Sequence, residues 1–149
     1  SWALNDHWTV NFKASQSGEI PLRYRLTTHT GACSDADAGR FGTEQATPVI
    51  SMRDLSPKGT RSGQFVASSD GDVEVIHIKP ASFGEGIIVR VQNVAAEART
   101  LTLTFAELSP TSATLVSPDE QDGDGAVVNG NAVEVPVAGR SVQSVRVVF

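Results

Sequence analysis

A chain of 149 residues is long enough for one ordinary domain or two small ones, and its net charge of −5 is mild. The basic residues are scattered, which excludes the electrostatic footprint of a nucleic-acid binder. No apolar run approaches the roughly 18–20 residues of a membrane span. The lone cysteine, Cys33, excludes an internal disulfide.

The chain opens SWALNDHW, apolar and aromatic, with neither an initiator Met nor a signal peptide. Ser1 therefore reads as a cut inside a longer chain, with targeting information elsewhere. The compartment stays open, with the cytoplasm favoured over secretion.

Trp8, Val10 and Phe12 alternate with Thr9, Asn11 and Lys13, the period of a first strand. After the turn Gln16-Ser17-Gly18, Ile20, Leu22, Tyr24 and Leu26 alternate with Pro21, Arg23 and Arg25, which predicts a second strand and a hairpin. Thr27–Gln45 reads as a loop. Within it Ser34-Asp35-Ala36-Asp37 has capping-box spacing with Gly39 close behind, enough for one helical turn. Pro48–Met52 reads as a short strand, and Asp54–Gly63 as a loop, a linker or a sub-boundary.

Strands come faster in the second half. Phe65–Ser68 and Val73–Lys79 flank the turn Ser69-Asp70-Gly71-Asp72. In Phe83–Val94, Ile87, Val89 and Val91 point one way and Ile88, Arg90 and Gln92 the other. After a short link, Leu101, Leu103 and Phe105 alternate with Thr100, Thr102 and Thr104. Matched apolar faces and a short link predict an antiparallel hairpin with all six apolar residues in one core layer. Ala113–Val116 reads as a strand and Pro118–Gly125 as a mobile loop. Val127–Val128 and Val133–Val137 flank the hairpin turn Asn129-Gly130, and Val142–Phe149 closes the chain. Many short strands, Gly and Pro punctuation and no sustained helical period predict an all-β fold. It is an antiparallel sandwich, immunoglobulin-like or a fragment of a supersandwich.

The residues themselves single out no catalytic, cofactor or metal site. His29, Cys33, Asp35 and Asp37 are close in sequence but match no zinc spacing. Asp122-Gly123-Asp124-Gly125 lacks the closing Glu of a calcium loop, which leaves a polar hairpin loop. His77, in an apolar strand, reads as a core or edge histidine. There is no Gly-x-Ser-x-Gly elbow. Glu44, Glu85 and Glu107 are available carboxylates, yet nothing pairs them. The most distinctive stretch is Asn5–Asn11. Amides beside an aromatic ring suit either a sugar or a strand end, so Trp2, Asn5, His7, Trp8 and Asn11 are the candidate interdomain or sugar contacts.

Three stretches in order resemble the C-terminal β region of family 38 glycoside hydrolases, the α-mannosidases. They are Ala3–His29, with its Asn, Trp and Asn, then Gln-x-Gly, then an Arg-Tyr strand ending at His; Ala38–Glu44, containing Arg-Phe-Gly-x-Glu before Pro48; and Phe65–Asn93, with a Val strand, a Gly-x-Gly and Ile-Val-Arg before an Asn. Val91-Gln92, Ser82-Phe83 and Ala138-Gly139-Arg140-Ser141 depart from the family pattern. The resemblance implies a parent enzyme that hydrolyses α-mannosides with retention. It also implies that the nucleophile and a divalent metal, usually zinc, belong to an N-terminal catalytic domain outside this sequence. The expectation is thus a non-catalytic, cofactor-free sandwich. Its partners would be the catalytic domain of the same chain and mannose-containing glycans, with no nucleic acid and no membrane. A carbohydrate-binding module and an immunoglobulin-like structural domain are the rival readings.

Overall fold

The computed structural model describes residues 17–47, 50–51 and 62–149. The chain divides into two compact units, Ser1–Gly31 and Ala32–Phe149. In the first unit, residues 17–31 carry no helix or strand and are exposed throughout. The strand expected over Ile20–Leu26 does not form among them: Tyr24 is 66% exposed and Leu26 96%. Alternation makes a strand possible, but only pairing makes one. The expected partner, Trp8–Lys13, lies outside the described residues, as does 54–61. Of the short strand expected at Pro48–Met52, Ile50 and Ser51 are described, and neither is in a strand.

The second unit begins with a helix, α1 (Asp35–Ala46). Ser34 caps it as its spacing predicts, its hydroxyl accepting the Asp37 N–H at 3.0 Å. The expectation of one turn was too short, because the helix runs through Gly39 and Gly42 for 12 residues. Each interior glycine costs about 1 kcal/mol relative to alanine. Contacts with the sandwich offset that cost. Ala36 is buried, the Arg40 guanidinium donates to the Gly71 carbonyl at 2.8 Å, and the Thr43 hydroxyl lies 3.5 Å from Glu74 Oε2.

Nine strands follow among the described residues: β1 (Val66–Ser68), β2 (Val73–Pro80), β3 (Ile87–Asn93), β4 (Arg99–Phe105), β5 (Ser112–Val116), β6 (Asp122–Gly125), β7 (Val127–Asn129), β8 (Ala132–Val137) and β9 (Val142–Val148). They form two antiparallel sheets in the orders β1-β4-β8-β7 and β2-β3-β9-β5-β6. The fold is the all-β sandwich that the short alternating segments predict. Val89 and Val91 from one sheet meet Leu101, Leu103 and Phe105 from the other in a shared core, joined by Val133, Val135, Val137, Val145 and Val147. Phe105 anchors one end, its ring edge-on to Phe65 and Phe149 at 5.9 and 5.2 Å.

The predicted hairpin of β3 and β4 is a correction. The residues alternate as expected, with Ile87 packed at the core margin, but the strands lie in different sheets. In a hairpin, two apolar faces lie side by side. Here they face each other, and 94–98 is an arch between sheets. The turn at 69–72 likewise changes sheet, since β1 pairs with β4 and β2 with β3.

Asn93 explains the arch. Its side chain is fully buried, and its Nδ2 donates to the carbonyls of Glu97 (2.8 Å) and Ala138 (3.1 Å), with Val137 O at 3.4 Å. Its Oδ1 accepts the Ala95 N–H at 2.9 Å. One amide thereby ties the β3–β4 arch to the β8–β9 turn, the two crossings at this end of the sandwich. Arg140, left-handed at φ 52, adds a backbone bond to Ala95 O at 2.8 Å. Gly139 fits where a Cβ would lie 1.8 Å from Ala96 O, so the approach of the two loops requires glycine.

Two further expectations shift. Asp122–Gly125, expected within a mobile loop, is the exposed edge strand β6 against β5. The β7–β8 hairpin exists, but Asn129 pairs with Ala132, so its loop is Gly130-Asn131 rather than Asn129-Gly130. Gly130 is left-handed at φ 61, as a type II′ loop requires at its first position.

Candidate functional site

The candidate contacts Trp2, Asn5, His7, Trp8 and Asn11 lie outside the described residues. His29, in the first unit, is exposed, and the sequence candidates of the second unit are described and do not converge. Asp35 and Asp37 occupy the first turn of α1, where carboxylates favour the helix N-terminus, and Cys33 is exposed. Among the described residues no three His, Cys, Asp or Glu side chains are grouped to hold a metal. His77 is exposed on β2, the edge of its sheet. Glu44, Glu85 and Glu107 are exposed on α1, the β2–β3 turn and the β4–β5 connection.

The structure brings together a different group on the outer face of the five-stranded sheet. The β5–β6 connection folds back as a tight turn: Ser117 N–H donates to Gln121 O at 3.0 Å, and Glu120 N–H to Ser117 O at 2.9 Å. This turn holds Glu120 left-handed at φ 68 and 7% exposed. The Glu120 carboxylate pairs with the Lys79 ammonium at the end of β2. It also accepts the Ser82 N–H at 2.7 Å and the Ser82 hydroxyl at 2.9 Å. Lys79 in turn reaches Ser82 Oγ at 2.7 Å. Within β3, Arg90 donates to Pro118 O and Ser144 Oγ, each at 2.9 Å. The 117–121 turn is thus fastened to residues of β2, β3 and the β2–β3 turn. Ile88, on the face where alternation places solvent, is fully buried.

A lysine, a serine and a carboxylate within hydrogen-bonding distance have the composition of a nucleophilic site, but not its chemistry. The Lys79 contact, and after it the Ser82 N–H, hold the Glu120 carboxyl at about 2, outweighing its burial. That lowering makes the carboxylate a poorer proton acceptor toward a serine. The ammonium is committed to the same carboxylate. The cluster is an ionic clasp.

Beside it lies an open cavity of about 420 Å³, lined by Arg90, Val116, Pro118, Asp124, Val142 and Ser144. Its one arginine is committed to Ser144 and Pro118. Asp124 is its only lining carboxylate, so the paired carboxyls of glycoside hydrolysis are not assembled there.

Sequence reasoning missed Asn93 and Glu120 as organising residues. Asn93 ends an alternating strand like any polar terminus. Glu120 sits in the acidic stretch Pro118–Gly125, which reads from sequence as a mobile loop. Neither carries a local signal, because their partners are up to 45 residues away. No family model matches the chain, and no curated protein matches it.

Proposed function

We propose that this chain is a non-catalytic β-sandwich region of an α-mannosidase-like glycoside hydrolase, and that it supports a catalytic domain of the same parent chain. The observation that carries the reading is architectural. Phe65–Asn93, one of the stretches that resemble family 38, builds β1, β2 and β3 of the sandwich, and its features have structural uses. Gly84 and Gly86 are left-handed at φ 76 and 95, and a Cβ on Gly86 would meet Val147 O at 2.2 Å. Arg90 and Asn93 hold the loops around the sheet. The clasp, with its carboxylate engaged by Lys79 and Ser82, accords with a supporting role.

The test has two parts. The open reading frame around this sequence should encode a family 38-type catalytic domain upstream of Ser1, and the purified chain alone should hydrolyse no aryl α-mannoside with or without added zinc. An upstream sequence without such a domain, or metal-dependent turnover by the chain itself above contaminant controls, overturns the proposal. A glycan array probed with the isolated chain separates support from independent sugar binding.

A further inference from the structure

We propose that Asn129 is a site of spontaneous deamidation, set up by the turn that joins β7 to β8. Asn129-Gly130 is the chain's only Asn-Gly step. The reaction is intramolecular. The deprotonated Gly130 backbone nitrogen attacks Asn129 Cγ, a C–N bond forms, the bond to the side-chain nitrogen breaks, and ammonia leaves. Water then opens the resulting succinimide at either carbonyl, giving aspartate or isoaspartate. One water enters and one ammonia departs, and no oxidant or cofactor is needed.

Four features of the fold favour this position. Asn129 is exposed, and its side chain has no hydrogen-bond partner among the described residues. Gly130 carries no Cβ to shield its nitrogen, and as the first residue of the loop its N–H lies outside the β7–β8 pairing that ends at Asn129 and Ala132. Attack requires Asn129 to leave its extended conformation. β7 yields easily, being three residues long and bonded on one side only. The other described asparagines are held. Asn93 is buried with its amide engaged, and Asn131 Nδ2 donates to Phe105 O at 2.8 Å.

The product matters to the sandwich. Isoaspartate inserts a methylene into the main chain at the last residue of β7, and either product adds a negative charge on the strand that pairs with Glu134. In the isoaspartate product the extra methylene falls at the closing pair of the β7–β8 register, Asn129 with Ala132.

The test is incubation of the intact folded chain at mildly alkaline pH, followed by peptide mapping. Mass gain from amide-to-acid conversion should appear at Asn129 before any other asparagine, with isoaspartate present, and should quicken as pH rises. Asn129→Gln should abolish the early signal and Gly130→Ala should slow it. Gly130→Ala also strains the turn, so the glutamine variant and the isoaspartate readout decide independently of it. First conversion at another asparagine, or conversion at Asn129 without isoaspartate, overturns the proposal.

Discussion

Replacing Asn93 is the sharpest test of how this sandwich is held. Asn93→Ala removes the amide that donates to the carbonyls of Glu97 and Ala138, with Val137 O close by, and that accepts the Ala95 N–H. Each such bond is worth about 0.5–1.5 kcal/mol net, and a buried group left unsatisfied costs about 1–3 kcal/mol. The contact with Val137 is buried and the others are part-buried, so water rescues some partners but not all. The expected loss is about 2–4 kcal/mol, which lowers Tm on the order of 10–20 °C for a domain of this size. Asn93→Asp is the discriminating partner. It keeps the shape and the acceptor for Ala95, but an ionised carboxylate cannot donate and would face three carbonyl oxygens. It should be worse than alanine even though it is nearly isosteric. Denaturant melts of the three proteins measure this. Losses below about 1 kcal/mol for alanine, or an aspartate variant as stable as the parent, would show that the arch is held by chain packing and not by the amide.

Phe105→Ala should cost about 3–5 kcal/mol, because the ring is fully buried against Phe65 and Phe149. Thr102→Ala on the outer face should change stability by about 0.5 kcal/mol or less in the same melts. Gly139→Ala should abolish recovery of folded protein or lower Tm steeply, whereas Gly125→Ala, with nothing within 4 Å of the new methyl, should leave Tm nearly unchanged. The Glu120 carboxyl, lowered from 4.5 to about 2, contributes stability that is fully present above the unfolded value and is lost as pH falls through the folded one. The stability difference between the parent and Glu120→Gln should therefore be constant at neutral pH and shrink between about 4.5 and about 2 in acid melts.

The sequence made the inward faces legible because burial leaves a period. Leu101, Leu103 and Phe105 alternate with threonines, and all three are fully buried. Val133, Val135 and Val137 show the same pattern. The Ser34 cap was legible because its partner is three residues away. What the period does not encode is which sheet a strand joins. An apolar face satisfies the same alternation whether its neighbour lies beside it or opposite, and a five-residue link serves both arrangements. The arch joins Asn93 to the Gly139-Arg140 turn, over 40 residues along the chain from it and brought to it only in space.

The same reasoning accounts for Ile88 and the 117–121 turn. Alternation assigns Ile88 to solvent, and an isoleucine there looks like an ordinary exposed apolar residue. It is fully buried; the 117–121 turn, on the same outer face, begins almost thirty residues later, and its glutamate pairs with a lysine at the end of β2. Acidic composition and fixed structure are compatible here because the charge is paired and twice hydrogen-bonded to Ser82. The outer face of the five-stranded sheet is therefore a fastened surface. Any ligand or partner that used the cavity beside Arg90 would meet a guanidinium already committed to Ser144 and Pro118, and would have to bind around those bonds or replace them.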